Sequence, residues 1–322
     1  MTTETKFYIA IDVGGTKIRG AVVSSTGEVR APQEIPVHME GSKSLFERVS
    51  ELIQRVRGFL PHHEREKVSA IGVAVPAVVD PASGDVLLAP NLPEWNGFPL
   101  RKALKEQFGV PVAVDFDGIC SVVGEHWKGA GAGSDNVSFL IIGTGMGLGA
   151  IVDGHLLRGA SNIVGGVGWW RNTGDMVSVP IEVEHAGPGI ARRALSAAGR
   201  LPDGGLLARV AEKRQLSAKD VFAALENDDP AARKVIEETV DAIGFLVANI
   251  VSILNPERVI LGGGVGRQLG PFLGRINGTV LEVAQPIAAR RVQVLVSTLG
   301  QDFGLIGAAR LAMIAGAAKN RS

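Results

Sequence analysis

An acid, two glycines, a hydroxyl and an amine stand together in Asp12-Val13-Gly14-Gly15-Thr16-Lys17, between the apolar runs Phe7 to Ile11 and Ile18 to Val23. The first run has the length of a buried strand, and the second alternates like its hairpin partner. Glycines at 14 and 15 let backbone N–H groups approach an anionic oxygen, Thr16 adds a hydroxyl donor, and Lys17 adds a compact positive charge. Asp12 supplies the hard oxygen that a hydrated magnesium ion takes. A plain glycine-rich hairpin would use some of these residues, but the density of chemistry favours a phosphate grip.

Two later glycine clusters have the same setting. Gly143-Thr144-Gly145-Met146-Gly147-Leu148-Gly149 follows a strand-like run, Val137 to Ile142, and precedes a returning strand, Ala150 to Val152, with Asp153-Gly154 as hairpin turn. Gly20-Ala21-Val22-Val23 and Gly149-Ala150-Ile151-Val152 occupy matching places after the two turns, which suggests a duplicated unit. Gly262-Gly263-Gly264 follows the strand Arg258 to Leu261 and opens a helix, where backbone can lie against a base or a phosphate. A dinucleotide fingerprint fails, because Gly143 to Gly149 runs into a strand and Arg267 replaces the third glycine after Gly262 and Gly264. No G-x-x-x-x-G-K-[ST] loop is present either. The remaining reading is a nucleotide held by hairpin turns on two domains.

Composition bounds the partners. The 322 residues, 46% of them hydrophobic, allow a large core in two domains or one large one. With 33 basic and 33 acidic residues the net charge is zero, so neither nucleic acid nor an anionic membrane is an expected partner. The single Cys120 permits no intrachain disulfide and fits a reducing compartment. No apolar run reaches bilayer length, and Asp12 comes too early for a signal-peptide core, so a soluble cytoplasmic protein is expected.

The elements that must carry these residues follow from periodicity. Glu28 to Ile35 reads as a third antiparallel strand, Leu45 to Phe59 as a helix, Lys67 to Val75 as a strand, and His62-His63 as solvated loop without a role. Pro90 to Pro99 is a proline-rich loop before a helix from Leu100, and Val110 to Val114 is a strand. Asp115-Phe116-Asp117-Gly118 is then its junction to a helix ending at Gly129 to Gly133. Ser217 to Asp220 resembles a capping box, Pro230 opens a long helix stopping before Asn255-Pro256, Val292 to Val296 is a strand, and Gly304 to Ala315 closes the chain as a helix. The expected domains are 1–116 with 300–322, and 117–299.

Asp12 to Lys17, Asn91 within Pro-Asn-Leu-Pro-x-Trp, Asp117 followed by Gly124-Glu125, Gly143 to Gly147, Asp153-Gly154, Gly262 to Gly264 and Asp302 to Ala309 together resemble the ROK family of sugar kinases and repressors. The resemblance runs in order over nearly the whole chain. It implies the two-domain actin-like (ribonuclease H-like) ATPase fold, each domain a mixed sheet flanked by helices. It also implies ATP with magnesium, a hexose or modified hexose as substrate, and a homodimer. By similarity Asp117 matches the catalytic aspartate, with a helix N-cap as its structural alternative. Gly143, Thr144 and Gly145 resemble the second phosphate turn, and Gly262, Gly263 and Gly264 the adenosine-side turn. Asn91 and Glu182 match sugar-contacting residues.

The departures lie on the acceptor side. The family's Asn-Asp pair reads Phe116-Asp117, and its Glu-x-Gly-His segment reads Gly166-Val167-Gly168-Trp169. Trp170 to Ile181 holds no cysteine, so no structural zinc is expected. Phe116 and Trp169 would make a less polar pocket, with aromatic faces for the C–H face of a sugar; core packing is the alternative for Trp169-Trp170. Two functions follow: an ATP-dependent sugar kinase, and a non-catalytic sugar or nucleotide sensor. With the first strand beginning by Phe7, a preceding helix-turn-helix is not expected.

Overall fold

The computed structural model describes residues 6–37, 44–171, 179–201 and 205–319. They form two compact units: the described residues within 1–133, 156–164 and 298–322 make the first, and those within 134–155 and 165–297 the second. The boundary expected after Phe116 lies instead after Gly133, because the helix Asp117–Lys128 packs on the helix Phe303–Lys319 of the first unit.

In the first unit, β1 (Phe7–Val13), β2 (Lys17–Ser24), β3 (Val29–Pro36), β4 (Val68–Val75) and β7 (Val112–Phe116) make a sheet in the order β3-β2-β1-β4-β7. A small ribbon of β5 (Val78–Val79) and β6 (Val86–Leu88) stands beside it in the chain. β1, β2 and β3 are antiparallel, whereas β1, β4 and β7 are parallel and share one carboxyl edge. The second unit repeats the plan with β8 (Val137–Ile142), β9 (Met146–Val152), β10 (His155–Leu156), β11 (Arg258–Gly262) and β12 (Gln293–Val296), in the order β10-β9-β8-β11-β12. The duplication expected from the two glycine turns is thus a duplication of sheet order. One detail differs: β9 begins at Met146, so Gly147 and Gly149 are ladder residues and the turn is only Gly143 to Gly145.

Strand alternation sorts β1 into two faces. Ile9, Ile11 and Val13 join Leu45, Val49, Leu52 and Ile53 of the helix Leu45–Gly58 in one core cluster. Tyr8 and Ala10 face the other way, with Ala21, Ala70 and Ala74, onto Leu305, Ala308, Ala309 and Ala312 of the closing helix. Asp12 has the parity of Tyr8 and Ala10, so it lies on this small-residue face. The close approach there is extreme at Gly307, where a Cβ would sit 1.6 Å from the Cys120 carbonyl oxygen, and at Gly124, where it would sit 2.3 Å from the Phe303 oxygen.

The second unit's core is organised by the helix Pro230–Leu254. Pro230 occupies its first position, and Asp229 Oδ1 accepts from the N–H groups of Ala231 and Ala232 at 2.9 Å. Such a cap contributes about 1 kcal/mol. Asn255 ends the helix in the left-handed region, φ 46°, before Pro256. His62 and His63, expected in a loop, lie exposed in the one-turn helix His62–Arg65.

The contact between the helices Asp117–Lys128 and Phe303–Lys319 leaves no room for a methyl group. Gly307→Ala should lower stability by roughly 1–3 kcal/mol, the usual cost of overpacking, measured as a lower urea midpoint; an unchanged midpoint contradicts this packing.

Candidate active site

In the first unit the candidate residues gather at the carboxyl edge of β1, β4 and β7. The β1–β2 hairpin closes with Gly14 N–H donating to the Lys17 carbonyl at 2.8 Å, leaving Gly15 partly accessible and Thr16 exposed. The antiparallel register sets Asp12 directly opposite Arg19. Cross-strand partners share a face, so the cation facing Asp12 by sheet geometry is Arg19, which lies outside the Asp12–Lys17 motif. Counting backwards and forwards from the Gly14–Thr16 turn is the signal that would have found it.

Arg19 donates to Asp302 Oδ1 at 2.7 Å and to the Gln301 carbonyl. Lys17 Nζ donates to Glu34 Oε2 at 2.7 Å and to Gln301 Oε1 at 3.3 Å. The Lys17–Glu34 pair is solvent-exposed and weak, so Glu34 holds Lys17 only loosely. At the opening of the closing helix, a Cβ on Gly304 would come within 2.7 Å of Asp12 Oδ2; the missing side chain makes the room the carboxyl occupies.

Asp117 is the first residue of its helix, and the N-cap position belongs to Phe116, so the N-cap alternative does not describe Asp117. The Asp117 carboxyl accepts from the Gly118 N–H, which favours its ionised form, but burial and then the negative charge of Asp12 oppose it more strongly and push it up to about 7. Asp12 is itself pushed up to about 6 by burial, with Arg19 and then Lys17 pulling it down and Asp302 pushing it up. Both carboxyls are thus raised, each chiefly by burial, and Asp117 also by the charge of Asp12. Such a pair suits proton transfer at neutral pH better than two ordinary carboxylates would. Phe116 is half-buried beside it. Asn91 is exposed on its loop, which the buried Trp95, stacked on Phe98 at 6.5 Å, anchors to the core.

In the second unit the Gly143–Gly145 turn is tied at several points. Gly143 N–H donates to the Gly145 carbonyl at 2.9 Å, and Gly187 N–H, at the start of the helix Gly187–Ala198, donates to the Gly143 carbonyl at 2.7 Å. Glu182 Oε2 accepts from Met146 N–H at 3.1 Å, and it fills the place where a Cβ on Gly168 would lie, 2.5 Å away. Glu182 thus braces the turn as well as facing it. Gly263 adopts φ 80°, and a Cβ there would strike the Ile142 carbonyl at 2.4 Å, which brings the Gly262–Gly264 turn against the end of β8. By contrast a Cβ at Gly143 or Gly264 would meet no protein atom within 4 Å, so packing against that position does not require glycine. Thr144 is exposed on the same turn.

Trp169 is 65% exposed, so core packing does not account for it, whereas Trp170 packs on the second unit's core. Among the described residues no group of three or more His, Cys, Asp or Glu could hold a metal ion, and most of the stretch expected to lack a zinc site, residues 172–178, lies outside them. No described helix is long and apolar enough to cross a membrane.

Residues 8–314 match the ROK family. The chain belongs to that family. This ROK protein is 30% identical over 317 residues to a glucokinase from Halalkalibacterium halodurans, covering 94% of this chain and 93% of that one. Over 260 residues it is 30% identical to a xylose repressor from Caldicellulosiruptor bescii, covering 79% of this chain and 65% of that one. Among solved structures it resembles a ROK family glucokinase from Streptomyces griseus in complex with glucose and AMPPNP, with a TM-score of 0.81 at 26% identity, covering 96% of this chain and 99% of that one. The mixed α/β sheets flanked by helices are those of the family's actin-like ATPase fold.

Both carboxyls have folded-state values above their ordinary 3.8, so the stability they contribute is complete below about pH 4 and is lost as pH rises through about 6 and about 7. Asp117→Asn should therefore raise the thermal midpoint at pH 8 and leave it nearly unchanged at pH 4. Equal midpoints at pH 8 would contradict the raised Asp117.

Proposed function

We propose that this ROK protein is an ATP-dependent sugar kinase, cytoplasmic and dimeric, that phosphorylates a hydroxyl of a hexose or modified hexose with Asp117 as general base. The observation that carries the reading is the relation to glucokinases along nearly the full length of the chain, with Asp12 and Asp117 at the carboxyl edge of one sheet.

Phosphoryl transfer asks the enzyme chiefly to position reactants and offset charge. Asp117 takes the proton of the sugar hydroxyl as its oxygen bonds to the γ-phosphorus and the bond to the leaving ADP oxygen breaks. The helix start at Asp117 and the Gly118 N–H aim the carboxylate. Asp12 would hold, through water, a magnesium ion that neutralises phosphate charge when bound. A cation there would also favour the ionised form of its half-buried carboxyl.

Gly14, Gly15, Thr16 and Lys17 are assigned to the phosphates, as are Gly143, Thr144 and Gly145, where the open space over Gly143 supports the role. Gly262, Gly263 and Gly264 are assigned to the adenosine side on the same ground at Gly264. Asn91, Phe116, Glu182 and Trp169 are assigned to the sugar, Trp169 because its exposed ring offers a stacking face.

A non-catalytic sugar sensor is the second reading, favoured by the identity to a xylose repressor. Mg-ATP and a panel of sugars separate the two: sugar-dependent ADP release is expected, and tight sugar binding without turnover on any member would favour the sensor. Asp117→Asn should keep ATP binding and lose roughly 10²–10⁴-fold in kcat. In the active wild type, kcat/KM should rise with pH through about 7 as Asp117 loses its proton; full activity in the variant would remove Asp117 from its role.

A further inference from the structure

A buried polar cluster stands behind the Asp117 junction, and nothing in the kinase reading uses it. Asp115, on the last turn of alternation before Asp117, is 6% exposed. It lies in one row with Ala74 and Asp12 across β7, β4 and β1. Arg158 holds it with two parallel bonds, Nη2 to Oδ2 at 2.7 Å and Nη1 to Oδ1 at 3.1 Å. Asn162, 2% exposed, accepts from Arg158 Nη1 at 2.7 Å and donates to the Val79 carbonyl at 2.8 Å and to Asp115 Oδ1 at 3.4 Å. Asp115 Oδ1 also accepts from the backbone N–H of Phe116 at 3.0 Å. That N–H belongs to the N-cap residue of the helix that begins at Asp117, and no side chain caps that helix.

The segment supplying Arg158 and Asn162 is itself fixed. Residues 156–164 belong to the first unit although the chain on both sides belongs to the second. Val164 N–H donates to the Arg158 carbonyl at 3.3 Å, closing the segment into a loop with Asn162 at φ 55°. A left-handed asparagine is tolerated because its short side chain bonds locally. Here that side chain turns inward to the cluster instead of out to solvent.

We propose that Arg158 and Asn162 are positioning residues for phosphoryl transfer: they clamp Asp115, which through the Phe116 N–H fixes the strand-to-helix junction and so the direction of the Asp117 carboxyl. A bidentate guanidinium–carboxylate pair fixes orientation as well as distance. A reacting group displaced by about 1 Å can cost on the order of 10²-fold in rate, so a clamp two residues from the base is where such precision is set. The inference rests on the reading of Asp117 as base.

The test compares wild type, Asn162→Gly and Arg158→Lys in the full chain. Glycine keeps the left-handed backbone at 162 while deleting the amide, and lysine keeps the charge at 158 while deleting the fork. Activity is measured well below each unfolding midpoint. The expected result is a kcat about 10-fold lower or more in both variants, with KM for ATP unchanged. Faster hydrogen exchange of the 115–119 amides is also expected, while the Phe7–Val13 peptide stays protected. A purely structural role would lower the midpoint and leave kcat and the 115–119 exchange as in wild type, and that result overturns the proposal. If wild type shows no sugar-dependent ADP release, the kinase reading fails separately. The exchange data then decide the clamp alone: selective loosening at 115–119 supports it, and unchanged protection overturns it.

Discussion

Two carboxyls at one sheet edge, Asp12 near the end of β1 and Asp117 just past β7, are the constraint on which the first unit turns. Like charges sharing a site resist joint ionisation, and burial penalises both charged forms. Asp12 and Asp117 can coexist there because parallel β1, β4 and β7 end at one edge, because Arg19 stands across the ladder from Asp12, and because Gly304 leaves space for its carboxyl. The small-residue face of the sheet serves the same end. Ala10, Ala21, Ala70 and Ala74 let the closing helix come near enough for its first turn to meet Asp12. Packing that looks like ordinary core economy is thus what brings the acid pair out of bulk water.

The second unit solves a different problem, presenting backbone rather than charge. Its Gly143–Gly145 turn is held by the Gly187 N–H and by Glu182, and the Gly262–Gly264 turn packs against the Ile142 carbonyl, while a Cβ at Gly143 or Gly264 would meet open space. Glycine turns with open space over Gly143 and Gly264 suit an anionic ligand without any net positive charge on the chain. The zero net charge, which argued against nucleic acid, is therefore no obstacle to phosphate.

Much of this was legible in the sequence because the informative residues are local. Strand, turn and strand in Phe7 to Val23, the capped helix at Pro230 and the stop at Asn255-Pro256 each declare themselves within a few positions. What escaped depends on register or on distant partners. Arg19 matters through its place opposite Asp12, a fact of pairing rather than of composition. Asn162 sits in an unremarked loop, yet its amide reaches Asp115, 47 positions away. The unit boundary fell at Gly133 because the helix after Asp117 packs on the chain's final helix, which no local pattern encodes. Gly147 and Gly149 looked like turn residues because glycine in a strand is uncommon, whereas here they lie in the β8–β9 ladder.

Burial and then the charge of Asp12 push the Asp117 carboxyl up to about 7. Carbon-13 NMR titration of the aspartate carboxyls reads this directly, with Asp117→Asn and Asp12→Asn used for assignment. A resonance with a midpoint of about 7 is expected, absent in Asp117→Asn and shifted down in Asp12→Asn. An Asp117 carboxyl that titrates at its ordinary value of 3.8 would contradict it.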